Sequence, residues 1–322
     1  MVNSDAHKAK EESSFTLQTQ TLKVIHQRPG FDRLADVLAA ELGDLSAWEI
    51  QPLTGGGVSK HVYRMSRDEV TYFVKEIKDN ERYTLQLLHQ LGLRIAPQVV
   101  YPDMLGQHVL VSSFTDGQPI QQKKLDAGLI RNFAHMQNAL NDRRLFRSGR
   151  PPSGCKYTDH DDGFFRNGML SNIEGGYRNL LALRDLALPI VDRLIAVADR
   201  IRTNADRLAS MYAEMPFAWQ HHDFREGHIL GNPQRLVDWG SSYGHGPFLF
   251  DLAPFFVDDV DGSGLYRQEL EICRNISAGV FDVWMQGALA ARFASFLTYR
   301  LCPGGGNVNN REQARRFLEY YN

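Results

Sequence analysis

The sequence predicts an α+β protein of two lobes, a small antiparallel β lobe followed by a larger, mainly helical one. Three observations carry this. β-rich runs separated by glycine and charged turns fill residues 48–114. Beyond about Thr115 a 3.6-residue apolar period takes over, and short β signals return only around two aspartates, Asp223 and Asp238. The lobes are placed at 16–114 and 115–322, after a polar stretch over 1–15 read as a flexible tail.

Taken in order, Phe31, Leu34, Ala35, Val37, Leu38 and Leu42 recur at helical spacing. Trp48 to Leu53 and His61 to Met65 read as strands joined through Thr54-Gly55-Gly56-Gly57-Val58-Ser59, a hairpin whose glycines supply positive φ. Thr71 to Lys75 is a third strand. Glu81 to Leu91 is a helix with Leu85, Leu88 and Leu91 on one face, and Val99 to Tyr101 and His108 to Phe114 are further strands. In the second lobe, Leu125–Leu140, Pro189–Tyr212 and Leu265–Tyr299 carry the helical period. Arg147–Gly175 is rich in Gly, Pro, Asp and Ser and is expected to be an irregular insert. A last helix is expected after Gly304-Gly305-Gly306.

Composition narrows the function classes. With 43% apolar and 23% charged residues and a net charge of −2, the chain has no basic stripe of the kind nucleic-acid binding requires. No apolar run approaches the roughly 20 residues that span a bilayer, and the N-terminus lacks a signal-peptide core. The three cysteines, Cys155, Cys273 and Cys302, lie far apart and fit neither a disulfide framework nor a zinc site. A cytoplasmic protein with reduced thiols is expected.

The chemistry concentrates in Trp219–Leu230 and Leu236–Trp239. Asp223 and Asp238 each follow a short apolar strand, and a tight loop with Gly231-Asn232-Pro233 lies between them. Such a hairpin brings two carboxylates to one end of a cleft, as phosphoryl transfer needs. One orients the attacking hydroxyl and accepts its proton, the other holds Mg²⁺ on the phosphate oxygens. The first lobe supplies the complement in order. Gly55, Gly56 and Gly57 let backbone amides approach phosphate, Lys75 neutralises phosphate charge, Glu81 holds Lys75, and the strand ending in Ser113 and Phe114 offers backbone groups to an adenine edge. Taken singly, each is more often an ordinary residue: a flexible turn, a surface lysine, a solvated helix glutamate, a turn aspartate, a core histidine at His221. Order and spacing together are what chance rarely produces.

Residues 48 to about 260 resemble the aminoglycoside phosphotransferase family, relatives of choline and homoserine kinases with a bilobal protein-kinase-like fold. His221-His222-Asp223 is similar to the family's His-Gly-Asp, and Val237-Asp238-Trp239 to its Ile-Asp-Trp. Pro247–Ala253 is similar to its Asp-Pro-x-x-Asp-Leu-Ala segment, and Leu110–Phe114 to its hinge strand. The resemblance implies Asp223 as catalytic base with His221 supporting the loop, Asp238 as Mg²⁺ ligand, Asp251 as a structural tie, and Mg-ATP as phosphoryl donor. It departs at His228, where the family has a metal-binding asparagine. Imidazole suits Mg²⁺ poorly, which keeps a nucleotide-binding pseudokinase as the alternative to an active kinase. No Asp-Phe-Gly or Ala-Pro-Glu marks a protein-kinase activation segment.

The expected acceptor is a hydroxyl-bearing small molecule such as an aminoglycoside, another amino-bearing antibiotic or a choline-like or homoserine-like metabolite. Asp159, Asp161 and Asp162, and Asp258, Asp259 and Asp261, would suit a cationic acceptor, or are solvated loop acids. Phe164, Phe165, Tyr243 and Trp284 are stacking candidates or core.

Overall fold

In a computed structural model of the chain, residues 31–53, 62–100, 109–114, 119–120, 124–141, 162–241, 244–301, 315 and 318 are described. The glycine turn 55–57, Asp159, Asp161, Tyr243, Cys155, Cys302 and the stretch 304–306 lie outside them. The chain divides into two compact units, Met1–Gln118 and Pro119–Asn322.

The first unit holds α1 (Phe31–Leu42), β1 (Glu49–Pro52), β2 (Val62–Arg67), β3 (Val70–Glu76), α2 (Asp79–Gln90) and β4 (Val109–Ser113). The four strands form one antiparallel sheet in the order β1-β2-β3-β4. Tyr63, Met65, Val74, Val109 and Val111 are buried in one core with Leu34, Ala35 and Leu38 of α1 and Ile50 of β1. The alternation Tyr63/Met65 and Val109/Val111 is the period of two expected of strands with one face covered. Val99 contributes only an isolated bridge to Ser112, so the expected strand at Val99–Tyr101 does not form within the described residues.

The second unit contains α3 (Ala127–Ala139), α4 (Asp162–Ala182), α5 (Pro189–Thr203), α6 (Ala205–Ala213), α7 (Val260–Glu269) and α8 (Ala278–Tyr299). Two two-stranded sheets accompany them, β5 (Phe217–Trp219) with β8 (His245–Pro247), and β6 (Ile229–Leu230) with β7 (Arg235–Leu236). Together the described residues show a small antiparallel β-sheet at the N-terminal end and a mainly helical remainder, the α+β, kinase-like arrangement expected.

The irregular insert needs correction, because residues 162–175 belong to α4. Its glycines read as loop signals, yet the glycine that directly follows it, Gly176, permits close helix packing. A Cβ at Gly176 would stand 2.6 Å from Leu297 Cβ on α8, nearer than side-chain contacts allow. Likewise Pro189–Tyr212 is two helices, broken at Asn204. The Asn204 side chain donates to the Arg200 carbonyl and the Thr203 hydroxyl to that of Asp199, so polar side chains take up carbonyls at the end of α5. The 265–299 tail is likewise α7, a 3₁₀ turn at Glu271–Asn275, and α8.

A buried polar network braces β5 and β8. Gln137 of α3 donates to the carbonyls of Trp219 (3.1 Å) and Phe248 (3.3 Å). Tyr266 of α7 donates to Gln137 Oε1, and His245 Nε2 to the Leu140 carbonyl. The strand that leads into His221 is thereby fixed from two helices. Cys273 is buried, and burial pushes its thiol up to about 12, leaving it inert near neutrality. Among the described residues, no helix is long and apolar enough to cross a membrane.

Candidate active site

In the first unit, Lys75 on β3 and Glu81 in the first turn of α2 are both buried, and Lys75 Nζ lies 2.9 Å from Glu81 Oε1. An acid in a first helical turn is favoured by the helix dipole, and a buried ammonium requires such a partner. The pair expected from sequence is thus formed, with the lysine's position set by the β3 register opposite Leu110. At the end of β4, the Ser113 amide donates to the Gln98 carbonyl (2.8 Å) and the Phe114 amide to that of Thr71 (3.1 Å). Both N–H groups are therefore committed inside the unit.

In the second unit the chain leaves β5 at Trp219 and enters the loop 220–228. His221 is fully buried. Its Nε2 donates to the Val237 carbonyl at 3.1 Å, and its ring packs edge-on against Trp239 at 4.7 Å. Burial holds the imidazole down at about 3, so it is neutral at working pH. His221 therefore ties the Asp223 loop to the Asp238 segment and stays out of reach of a reacting atom.

Asp251, also fully buried, accepts the amides of His221 and His222 (3.2 Å) on one oxygen. Burial raises its carboxyl above the ordinary range, while the charges of His222 and Arg292 lower it. This is the structural tie expected of that segment, although the following helix is only a 3₁₀ turn, Ala253–Phe255. His222 stands where the family has glycine and adopts φ 64°, a left-handed conformation that glycine takes without strain. Asp238 also has positive φ, 63°.

β6 and β7 form the short hairpin expected, with Ile229 paired to Leu236 and Leu230 to Arg235, and Gly231 at φ 79° turning it. Its turn is held by a reciprocal pair. The Gln234 amide donates to Asp126 and the Asp126 amide to Gln234 Oε1, both at 2.9 Å. The hairpin brings Asp223, His228 and Asp238 together, with one ligand-capable atom of each within 4.8 Å of the others. Asp223 Oδ2 is 3.6 Å from His228 Nδ1, and Asp238 Oδ2 is 3.5 Å from His228 Nε2.

His228 is mostly buried and its ring is engaged at both nitrogens. Nδ1–H donates to the Asp223 carbonyl (2.9 Å), and Nε2 accepts from Arg225 Nη2 (2.6 Å). Burial first, then the adjacent guanidinium, pushes the imidazole toward neutrality. A cation drawing on His228 Nε2 would first have to displace Arg225. The donor set that suits Mg²⁺ is the pair of carboxylates, since Mg²⁺ favours oxygen.

Three arginines here escaped the sequence reading. Arg225 Nε and Arg300 Nη2 lie 3.5 and 3.8 Å from Asp223 Oδ1. Arg292 of α8 donates to the Phe224 carbonyl (2.8 Å) and stacks 4.8 Å over Phe250. Arg292 on α8 and Arg300 at its C-terminal cap are distant in sequence, and Arg225 falls between the recognisable motifs of the loop, so none carries a sequence signal for this role. Of the acceptor candidates, Asp259 caps α7 by accepting the Gly262 amide (3.0 Å), and Asp258 and Asp261 are exposed. Phe165 packs against Phe217 and Tyr212, and Trp284 against Phe248, and both are partly buried. Phe164 is exposed.

Residues 49–272 match the model of the phosphotransferase enzyme family. The chain belongs to this family and is a small-molecule kinase. A search of curated proteins returns no significant match. Among solved structures, the chain is similar to the spectinomycin phosphotransferase APH(9)-Ia bound to ADP and spectinomycin, at 11% identity and TM-score 0.52, over 90% of this chain and 93% of that one. It is also similar to a microcompartment-associated aminopropanol kinase (14% identity, TM-score 0.49, 89% and 93% covered). A third is the choline kinase LicA from Streptococcus pneumoniae (14%, 0.40, 90% and 100%). At 11% identity the first of these likenesses speaks to the fold alone.

Proposed function

We propose that the protein transfers the γ-phosphoryl group of ATP to a hydroxyl of a small molecule. The observation that carries this reading is the meeting of Asp223 and Asp238 around His228 at the foot of the β6–β7 hairpin. Asp223, about one-third exposed, accepts the proton of the attacking hydroxyl. As that O–H bond breaks, the oxygen bonds to the γ-phosphorus, the bond to the bridging oxygen breaks, and ADP leaves with the electron pair. Asp238 and Asp223 would hold Mg²⁺, which when bound offsets the charge of the phosphate oxygens. Lys75, fixed by Glu81, adds positive charge for the phosphates. Backbone groups of 55–57 and of Ser113 and Phe114 serve the nucleotide, the latter two through atoms other than their amides. Since phosphoryl transfer asks little covalent chemistry of the protein, positioning and charge carry the catalysis.

The test is transfer from Mg-ATP to a panel of hydroxyl acceptors. Asp223→Asn should cut turnover by about 10²–10⁴-fold with nucleotide binding kept. Unchanged turnover refutes the assignment. One observation favours a second reading, a nucleotide-binding pseudokinase: Arg225 occupies the His228 lone pair at the position of the family's metal-binding asparagine. In the same assay His228→Asn should raise activity if the kinase has decayed, and lower it if the Arg225–His228 pair belongs to the mechanism.

A further inference from the structure

The two oxygens of Asp223 face different surroundings. Oδ2 looks toward His228 and, beyond it, Asp238, the oxygen-rich side that suits a metal. Oδ1 has two guanidinium groups, Arg225 at 3.5 Å and Arg300 at 3.8 Å, with side chains 43% and 45% exposed. Neither is locked to the carboxylate in a short bidentate pair, the geometry that would spend a guanidinium on it. Arg225 is anchored instead on His228 (2.6 Å), and Arg300 follows the last turn of α8. A hydroxyl that gives its proton to Asp223 while Oδ2 serves the metal side must approach past these two cations.

We infer that the acceptor is an anion, a hydroxyl compound whose carboxylate or phosphate group is held by Arg300 and Arg225 beside Asp223. This rests on the reading of Asp223 as the base of a phosphotransferase. It reverses the cationic acceptor expected from the acidic clusters. Of those acids, Asp259 is occupied as a helix cap. An ammonium group placed among two guanidiniums meets repulsion from both. A planar, five-donor guanidinium also matches carboxylate and phosphate oxygens, which an ammonium substrate cannot exploit. Between an anion and a cation of one skeleton, the two arginines should give a preference on the order of ten- to a hundredfold.

The experiment uses the full chain saturated with Mg-AMPPNP and titrated by calorimetry with four three-carbon probes. Glycerate bears a carboxylate, glycerol 3-phosphate a phosphate ester, glycerol no charge, and 2-amino-1,3-propanediol an ammonium group. The same four are then offered as acceptors with Mg-ATP. The expected result is that one or both anions bind at least tenfold tighter than glycerol, with the amine weakest. Which anion wins tells a carboxylate acceptor from a phosphorylated one. Arg300→Gln should erase the anion's advantage, and Arg300→Lys should restore part of it. AMPPNP binding with no charge order among the probes, or with the amine preferred, overturns the anionic acceptor and leaves the kinase reading standing. A chain that binds no Mg-AMPPNP overturns both.

Discussion

Removing the Asp251 carboxylate tests how the candidate base is held. One oxygen of this fully buried side chain accepts the amides of His221 and His222, and the other has no hydrogen bond among the described residues. Asp251→Ala leaves the buried His221 N–H and the part-buried His222 N–H without an acceptor, at up to about 1–3 kcal/mol each. Relief from burying a carboxylate subtracts from that loss, so a net destabilisation of about 2 kcal/mol is expected. Asp251→Asn keeps an oxygen for both amides and sets its NH₂ where the second oxygen has no bond, and should lose less. Because burial raises the Asp251 carboxyl, its favourable contribution is complete below the ordinary 3.8 and declines as pH rises through the raised value. The gap between wild type and Asp251→Asn should therefore narrow from acid toward neutral pH. Urea unfolding at several pH values measures both effects, and transfer kinetics should show kcat falling in Asp251→Ala as the Asp223 loop loosens. An Asp251→Ala variant as stable as wild type, or Asp251→Asn as damaging as Asp251→Ala, would refute the tie.

Two further outcomes follow from buried charge. Glu81→Gln, which takes the charge from the partner of buried Lys75, should destabilise the first unit by about 3–5 kcal/mol, and Lys75→Met with Glu81→Leu should recover much of the loss, measured by denaturant unfolding of each variant. His221, held down at about 3 against an ordinary 6.5, contributes stability present above 6.5 and lost as pH falls toward 3. Between pH 7 and 4 the stability difference between wild type and His221→Asn should shrink by roughly 3 kcal/mol. A difference that stays constant with pH would mean that His221 is not buried as a neutral ring.

What was legible in the sequence was what local spacing controls. The sheet strands followed from β-branched and aromatic runs, and the His221–Asp223 and Val237–Trp239 motifs flank one short hairpin, so their meeting is almost a local event. The Lys75–Glu81 pair is likewise bridged by a short turn. The rest depends on contacts distant in sequence. The start of α4 was unreadable because Gly163, Gly168 and Gly175 signal a loop, while only the three-dimensional partner, Leu297, reveals the need for a small residue at position 176. Arg292 on α8 and Arg300 at its C-terminal cap lie more than sixty residues beyond Asp223, and nothing in their spacing points back to it. The cap made by Asp259 was hidden for the opposite reason, since acids grouped in a loop resemble a ligand site until one is seen to hold a helix end.

The backbone of the site shows where folding energy has been placed. His222 and Asp238 both lie in the left-handed region, where a residue with a Cβ costs about 1–2 kcal/mol. Such conformations persist only where the surroundings over-determine them. Here each has a buried clamp beside it. Asp251 takes the amides on both sides of the His221–His222 junction, and the segment before Asp238 is fixed by His221 on the Val237 carbonyl and by Trp239 Nε1 on that of Leu236 (2.8 Å). His221 belongs to both clamps, through its amide to Asp251 and its ring to Val237. One buried, neutral imidazole therefore sets the spacing between the two carboxylates. That accounts for a histidine at a position where the chemistry itself asks for none.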